Sequence, residues 1–246
     1  MSAWNIFARQ LFELEAYKIV LKGLLNTALI AVFGLLLGFI LGCLCAVIKQ
    51  IPTYKNKTLI TVFQRIVDVY VAVFRGTPMV VQLLIMHFII LPGMGVRFPS
   101  LLIGQNFAID GSVFEAVLAF GLNSGAYVSE IMRGGIDSVD KGQLEAARAV
   151  GLPYTTAMLT VVIPQAFRNV LPTLGNEFIA LIKETSVASF IAVEDLTKSF
   201  QNIANSTYEY LIPYLVLALC YLILVLMISF LVHVTERRLK RNERHH

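Results

Sequence analysis

The chain has 246 residues, 57% of them apolar and 15% charged, with a mean hydropathy of +0.73 and a formal net charge of +4. A soluble domain carries about 25% charged residues, so this composition excludes a water-soluble globular domain and leaves a polytopic membrane protein. The positive residues cluster in a few loops and in the tail, where they bear on membrane topology rather than on a nucleic-acid partner.

Residues 1–18 interleave charge with Trp4, Ile6, Phe7, Leu11, Phe12 and Leu14, as an interfacial segment does. Glu13 and Glu15 precede an apolar run far longer than a signal-peptide core, so no cleavable leader is expected. Five spans are predicted, over about 19–48, 66–92, 112–132, 163–183 and 208–234. Residues 23–48 hold no Asp, Glu, Lys or Arg and suffice to cross about 30 Å of hydrocarbon. Gly34, Gly38 and Gly42 recur every four residues, a stripe for close helix contact. Lys49, Lys55, Lys57 and Arg65 put the following loop in the cytoplasm and the N-terminus outside.

In the second span, Pro78 removes a backbone donor and disfavours a helical Thr77, which predicts a kink at Gly76-Thr77-Pro78. Residues 93–110, with Pro99, Gly104 and few positive charges, form an external loop. The third span carries Asn123, Ser124 and Tyr127, and Arg133, Lys141 and Arg148 mark the loop over 137–162 as cytoplasmic. After the fourth span, the segment 183–209 is acidic on balance and external, and its apolar stretch 187–193 predicts a short helix dipping into the outer leaflet. The fifth span ends in a basic inside tail of Arg237, Arg238, Lys240, Arg241 and Arg244. The expectation is an all-α membrane protein, one domain over 1–246, N-terminus outside and C-terminus inside, with no internal repeat. Cys43, Cys45 and Cys220 have neither metal nor disulfide spacing and read as small buried hydrophobes.

The loop 137–162 is built as a lever. Glu145-Ala146-Ala147-Arg148 lies in strong helix-forming sequence, Gly151 can end that helix in a left-handed conformation, and Pro153 can start the next one. The alanines offer a flat surface, with Glu145 and Arg148 able to form ion pairs at its edge. Three spans also carry polar stripes. Thr173, Glu177, Ala180 and Glu184 share a face of the fourth span, with Asn176 beside it; Phe120, Asn123, Ser124 and Tyr127 share one on the third; Pro78, Gln82 and Met86 share one on the second. Intramembrane polar groups are expensive and usually face a cavity or a partner, so one polar pocket between the three is expected. Glu177 can take a cationic group or make a structural ion pair with Arg168 or Lys183. Asn123 and Gln82 read equally as ligands or as interhelical hydrogen bonds. Arg75 either snorkels to the interface or closes the inner end of a path with Asp68 or Glu130, and His87 reads as a hydrogen-bonded core residue.

These residues carry a resemblance. Glu145-Ala146-Ala147, Gly151, Val161, Ile163 and Pro164 are similar to the EAA loop of binding-protein-dependent ABC importer permeases, E-A-A-x3-G-x9-I-x-L-P, with Val161 and Ile163 where Ile and Leu usually stand. Arg75-Gly76-Thr77-Pro78 with Gln82 resembles the R-G-T-P-x-x-x-Q signature of the polar amino acid (histidine, glutamine, arginine, glutamate) subfamily. Asn123-Ser124-Gly125-Ala126-Tyr127 with Glu130 and Arg133-Gly134 resembles its N-S-G-A-Y segment. Leu171-Pro172, Gly175-Asn176 and Lys183-Glu184-Thr185-Ser186 resemble L-P-x-x-G-N-x-x-I-x-x-x-K-D-T-S, Glu184 replacing Asp.

The resemblance implies the type I permease fold in a bacterial cytoplasmic membrane. It also implies a second permease subunit, identical or not, and an external or periplasmic amino acid binding protein. Two cytoplasmic ATPase subunits would hold ATP and magnesium, with no cofactor and no catalytic or metal site in this chain. Glu145, Ala146, Ala147, Arg148 and Gly151 would dock the ATPase. Glu177, Asn176, Asn123, Ser124, Gln82, Thr77, Tyr127 and Met86 would line a substrate site, with Arg75, Pro78 and Glu184 gating or structural. The substrate would be a polar or cationic amino acid such as arginine, lysine, histidine or glutamine, moved by alternating access. The rival reading is an ion-coupled secondary amino acid transporter, whose uptake an uncoupler would abolish.

Overall fold

A computed structural model of the chain describes residues 3–51, 57–103 and 107–243, with side chains over 3–51, 58–102 and 108–237. Lys55, Gly104 and Arg244 lie outside the described residues, as do the side chains of Lys57, Arg238, Lys240 and Arg241. An N-terminal helix α1 (Ala3–Ala8) continues into a π-helical turn (Arg9–Glu13) and is followed by the long α2 (Tyr17–Gln50). Next come α3 (Lys57–Gly76), α4 (Met79–Ile85), a π-helical turn (Met86–Ile90) and α5 (Leu91–Gly93). A small antiparallel hairpin, β1 (Leu101–Ile103) with β2 (Phe107–Ile109), leads into α6 (Gly111–Asp137). Two short helices, α7 (Lys141–Ala149) and α8 (Tyr154–Ala157), precede a π-helical turn (Met158–Val162) and α9 (Ile163–Glu184). A 3₁₀ helix (Thr185–Ile191), α10 (Leu196–Thr207) and α11 (Leu211–Glu243) complete the chain.

Among the described residues two helices are long and apolar enough to cross a membrane, α2 and the 211–237 part of α11, and α3 with α4–α5 is a third if that bent pair is one span. At 27 and 22 residues α6 and α9 also have the length, but Glu115, Asn123, Glu130 and Arg133 on α6 and Asn176, Glu177 and Lys183 on α9 lower their hydropathy. The expected kink is present and is sharp: the axes of α3 and α4–α5 differ by 111° across Gly76–Pro78.

The principal packing is α2 on α6, and the glycine stripe makes it. A Cβ placed on Gly38 would lie 2.7 Å from Ser124 Cβ, and one on Gly42 2.6 Å from Val128 Cβ. From the other side, Cβ atoms on Gly121 and Gly125 would lie 2.5 Å and 3.1 Å from the Leu37 and Leu41 side chains. The two backbones therefore touch over about two turns.

The apolar stretch after α9 forms the expected short helix, a 3₁₀ one. It buries Ala188 and Ile191 in the same core cluster as Leu83 and Phe120, where α4 lies against it, and leaves Phe190 exposed. Ala192 ends it in the left-handed region, φ 60°. α10, absent from the sequence-based expectation, is amphipathic and buries Leu196, Phe200 and Ile203 beside Phe7 of α1. Its N-cap, Asp195, accepts from Thr197 N and Lys198 N at 3.2 Å and 2.8 Å. Burial pushes the Asp195 carboxyl up to about 6, against the pull of these donors. The α10 start is pinned to the N-terminal third of α2: Asn26 Nδ2 donates to Glu194 O at 2.9 Å, and Leu196 N donates to Thr27 Oγ1 at 3.1 Å.

Candidate functional site

Asp140 caps α7, accepting from Gly142 N at 2.6 Å. At the other end Leu152 N donates to Ala147 O at 3.2 Å and Gly151 N to Arg148 O at 3.0 Å, a Schellman stop with Gly151 at φ 90°. Glu145, Ala146 and Arg148 are exposed, but Ala147 is buried. The alanines therefore do not form one surface. Ala146 faces out, while Ala147 turns toward the body of the protein on the side where α7 packs against the π-helical turn ahead of α9. Leu144 of α7 packs with Val139, Met158, Val162 and Ala166. Two side-chain links reinforce that joint: Asn169 Nδ2 to Ser138 Oγ at 3.0 Å and Gln165 Nε2 to Gln143 Oε1 at 3.4 Å.

The break between α3 and α4 explains two of the polar residues. In an unbroken helix the amide of residue 78 would satisfy Phe74 O; Pro78 has none. Gln82 Nε2 donates to Phe74 O at 2.8 Å, and to the Thr77 hydroxyl and carbonyl oxygens at 2.8 Å and 3.0 Å. Asn123 Nδ2, from α6, donates to Gln82 Oε1 at 2.9 Å and to Phe74 O at 3.3 Å. Thr77 Oγ1 in turn donates to Val73 O at 2.8 Å. Met86 is buried in the core with Leu83 and Leu91.

The polar stripes of the second and fourth predicted spans each meet α6, at separate contacts. On its other side Ser124 Oγ donates to Glu177 Oε1 of α9 at 3.4 Å. Glu177 is half-buried, has no ion pair with Arg168 or Lys183, and stands next to an exposed Asn176. Glu184, at the end of α9, is exposed and near no other element's charge within 4 Å among the described residues.

Below the break lies an ionic cluster. Glu130 meets Arg133 at 2.8 Å, Lys49 at 3.6 Å and Arg75 at 3.9 Å. Lys49 also holds Asp68 at 2.9 Å, and Arg133 holds Asp137 at 3.0 Å. Asp68 thus pairs with Lys49, not with Arg75. The Arg75 guanidinium stands 5.5 Å from the ring centre of Tyr127, a cation–π distance.

Two further pairs lie outside the sequence-based expectation. Glu115, one turn into α6, bonds His87 Nδ1; a lone carboxylate in the run 112–122 was the available signal. Lys22, on α2, meets Glu194 at 2.9 Å and Asp110 at 3.5 Å, a link between distant loops that no local pattern announces. Among the described residues no group of three or more His, Cys, Asp and Glu could hold a metal.

Residues 34–241 match the family described as the inner membrane component of binding-protein-dependent transport systems. The arginine transport system permease protein ArtQ of Bacillus subtilis is 41% identical over 224 residues, covering 91% of this chain and 94% of its own length. A putative glutamine transport system permease protein, GlnP of Rickettsia bellii, is 38% identical over 220 residues, covering 89% and 92%. A solved amino acid ABC transporter with histidines superposes with a TM-score of 0.76 at 35% identity, over 93% of this chain and 97% of that one. The MetNI methionine ABC transporter, at 18% identity and a TM-score of 0.65, shares the fold over 91% and 95%.

Proposed function

The chain belongs to the family of inner-membrane components of binding-protein-dependent transport systems, and on that premise we propose that it is the permease subunit of an ATP-driven importer of a polar or cationic amino acid. Five spans carry it across a bacterial cytoplasmic membrane with the N-terminus outside, α6 and α9 being the two polar ones. Two such permeases, identical or not, frame the path, and an external binding protein delivers the amino acid to its outer mouth. The partner ATPases bind ATP and magnesium, and their closure and reopening alternate the access of the path.

The observation that carries this reading is the two-faced α7. Its outer side offers Glu145, Ala146 and Arg148, while Leu144 and Ala147 turn inward. A push delivered outside is thereby handed to α9, the helix that bears Glu177. Within the path we assign Glu177 to the substrate's ammonium, with Ser124, Asn176 and Tyr127 around it. Gln82, Asn123 and Thr77 shape the site by holding the break, Met86 by filling the core behind it, and Pro78 by making it. Arg75 and Glu130 act at the inner end, and Glu184 ends the lever.

Purification from membranes tests the docking half of the proposal. The chain should bring down a P-loop ATPase, and Glu145→Arg should lose that subunit while the permease stays folded; retention of the ATPase by this variant would sink it. For the path, Glu177→Gln should weaken substrate-stimulated ATPase activity of the assembled complex. An unchanged substrate dependence would remove Glu177 from direct contact.

A further inference from the structure

Where α9 crosses α11, a groove of about 220 Å³ runs between Leu171, Gly175 and Phe178 on one side and Ile228, Leu231 and Val232 on the other. We propose that it is a binding site for phosphatidylethanolamine, one acyl chain lying in the groove and the headgroup held between Arg168 and Glu236.

The groove exists because residue 175 has no side chain: a Cβ there would stand 2.5 Å from Val232 Cγ1. From Leu171 to Phe178 is seven helical steps, about 10 Å, so 220 Å³ averages roughly 20 Å² in section, one alkyl chain wide. Its walls are apolar apart from Thr235 and Glu236 at one end, so water would find no set of partners along it. Its outer wall is lipid-accessible, since none of the most apolar stretch of α11 is buried.

The end of the groove supplies the selectivity. Glu236 is half-buried, and among the described side chains the basic group within 4 Å of it is the His233 imidazole of its own helix, 4.0 Å away. Arg168 precedes Leu171 and Gly175 by three and seven positions, on their stripe of α9. It has no ion pair within 4 Å among the described residues. The Glu236 carboxylate of α11 thus lines one end of an acyl-wide groove, and Arg168 lies one turn beyond Leu171 on the facing helix. Thr235 Oγ1 donates to Leu231 O at 2.9 Å, which leaves its lone pairs to accept. A phosphodiester fits Arg168, and a primary ammonium fits Glu236 with N–H donors. Choline has no N–H to give, and a glycerol headgroup has no cation.

The test is lipid retention by the assembled complex, reconstituted in nanodiscs of equal phosphatidylethanolamine, phosphatidylcholine and phosphatidylglycerol and then extracted in mild detergent. The ethanolamine lipid should be retained several-fold over the other two. Arg168→Gln should lower retention of all three phospholipids, Glu236→Gln should abolish the preference, and Leu231→Trp should lose the bound lipid. Equal retention of the three headgroups overturns the proposal, as does retention unchanged by Arg168→Gln or a preference that survives Glu236→Gln or the tryptophan. So does a disulfide-linked dimer formed in membranes by Leu231→Cys, with Cys43, Cys45 and Cys220 replaced by Ala, because a second copy would then fill the groove. Both nanodisc leaflets have one composition and no transport is measured, so the result is independent of the orientation and of the substrate proposed above.

Discussion

Gln82 shows how a polar side chain in a membrane can be consumed by the backbone. It replaces the donor that Pro78 lacks, and Asn123 closes the circuit from the neighbouring helix. Gln82→Leu removes the better acceptor of Asn123 and leaves that side chain and Phe74 O sharing one long hydrogen bond of 3.3 Å, a cost of about 1–3 kcal/mol. Thermal unfolding in detergent should register that loss, and the double variant with Asn123→Leu should lose less than the sum of the two singles. Strict additivity would mean the two side chains do not work as a unit. The proline and its kink were legible in the sequence; the repair was not. A glutamine four residues past a proline reads equally as a ligand or as a staple, and only the position of Asn123 on another helix decides between them. Glu177 is the converse case, readable as a mid-span carboxylate, with a hydrogen-bond partner, Ser124, supplied by tertiary packing.

Helices whose period, caps and breakers lie within one stretch of chain were legible. α7 is the clearest: helix formers, then Gly151 at φ 90°, then Pro153. α10 was readable too, since Asp195 precedes apolar residues at 196, 200 and 203, but the charge count of the segment drew attention to its sidedness instead. The α2–α6 seam was half legible. Glycines at 34, 38 and 42 announce a close contact without naming the helix that makes it. Gly38→Val puts new carbon within 3.0 Å of Ser124 and Gly125, and overpacking of this kind costs about 1–3 kcal/mol. Gly134→Ala, on the same α6 with nothing within 4 Å, should instead gain about 0.5–1 kcal/mol. Equal effects of the two on unfolding temperature would mean that the seam is not tight.

For the molecule as a whole, the polar content of α6 and α9 is what hid them from a simple hydropathy test and what makes them useful. They carry the ionic cluster at one end, the Ser124–Glu177 contact midway, and α7 between them in sequence. Long-range pairs such as Lys22 with Glu194 could not be read in advance, because their partners are brought together by folding alone. The glycine seam, finally, dictates where such a machine can bend. Side chains that interlock can slide by changing rotamer; two backbones in contact can only hold or part. α2 and α6 would therefore travel as a single rod. The break at Gly76–Pro78 is tied to that rod by Asn123, and the left-handed Ala192 leads into an α10 that Asn26 and Thr27 fasten to α2, so both bends are anchored where they meet it.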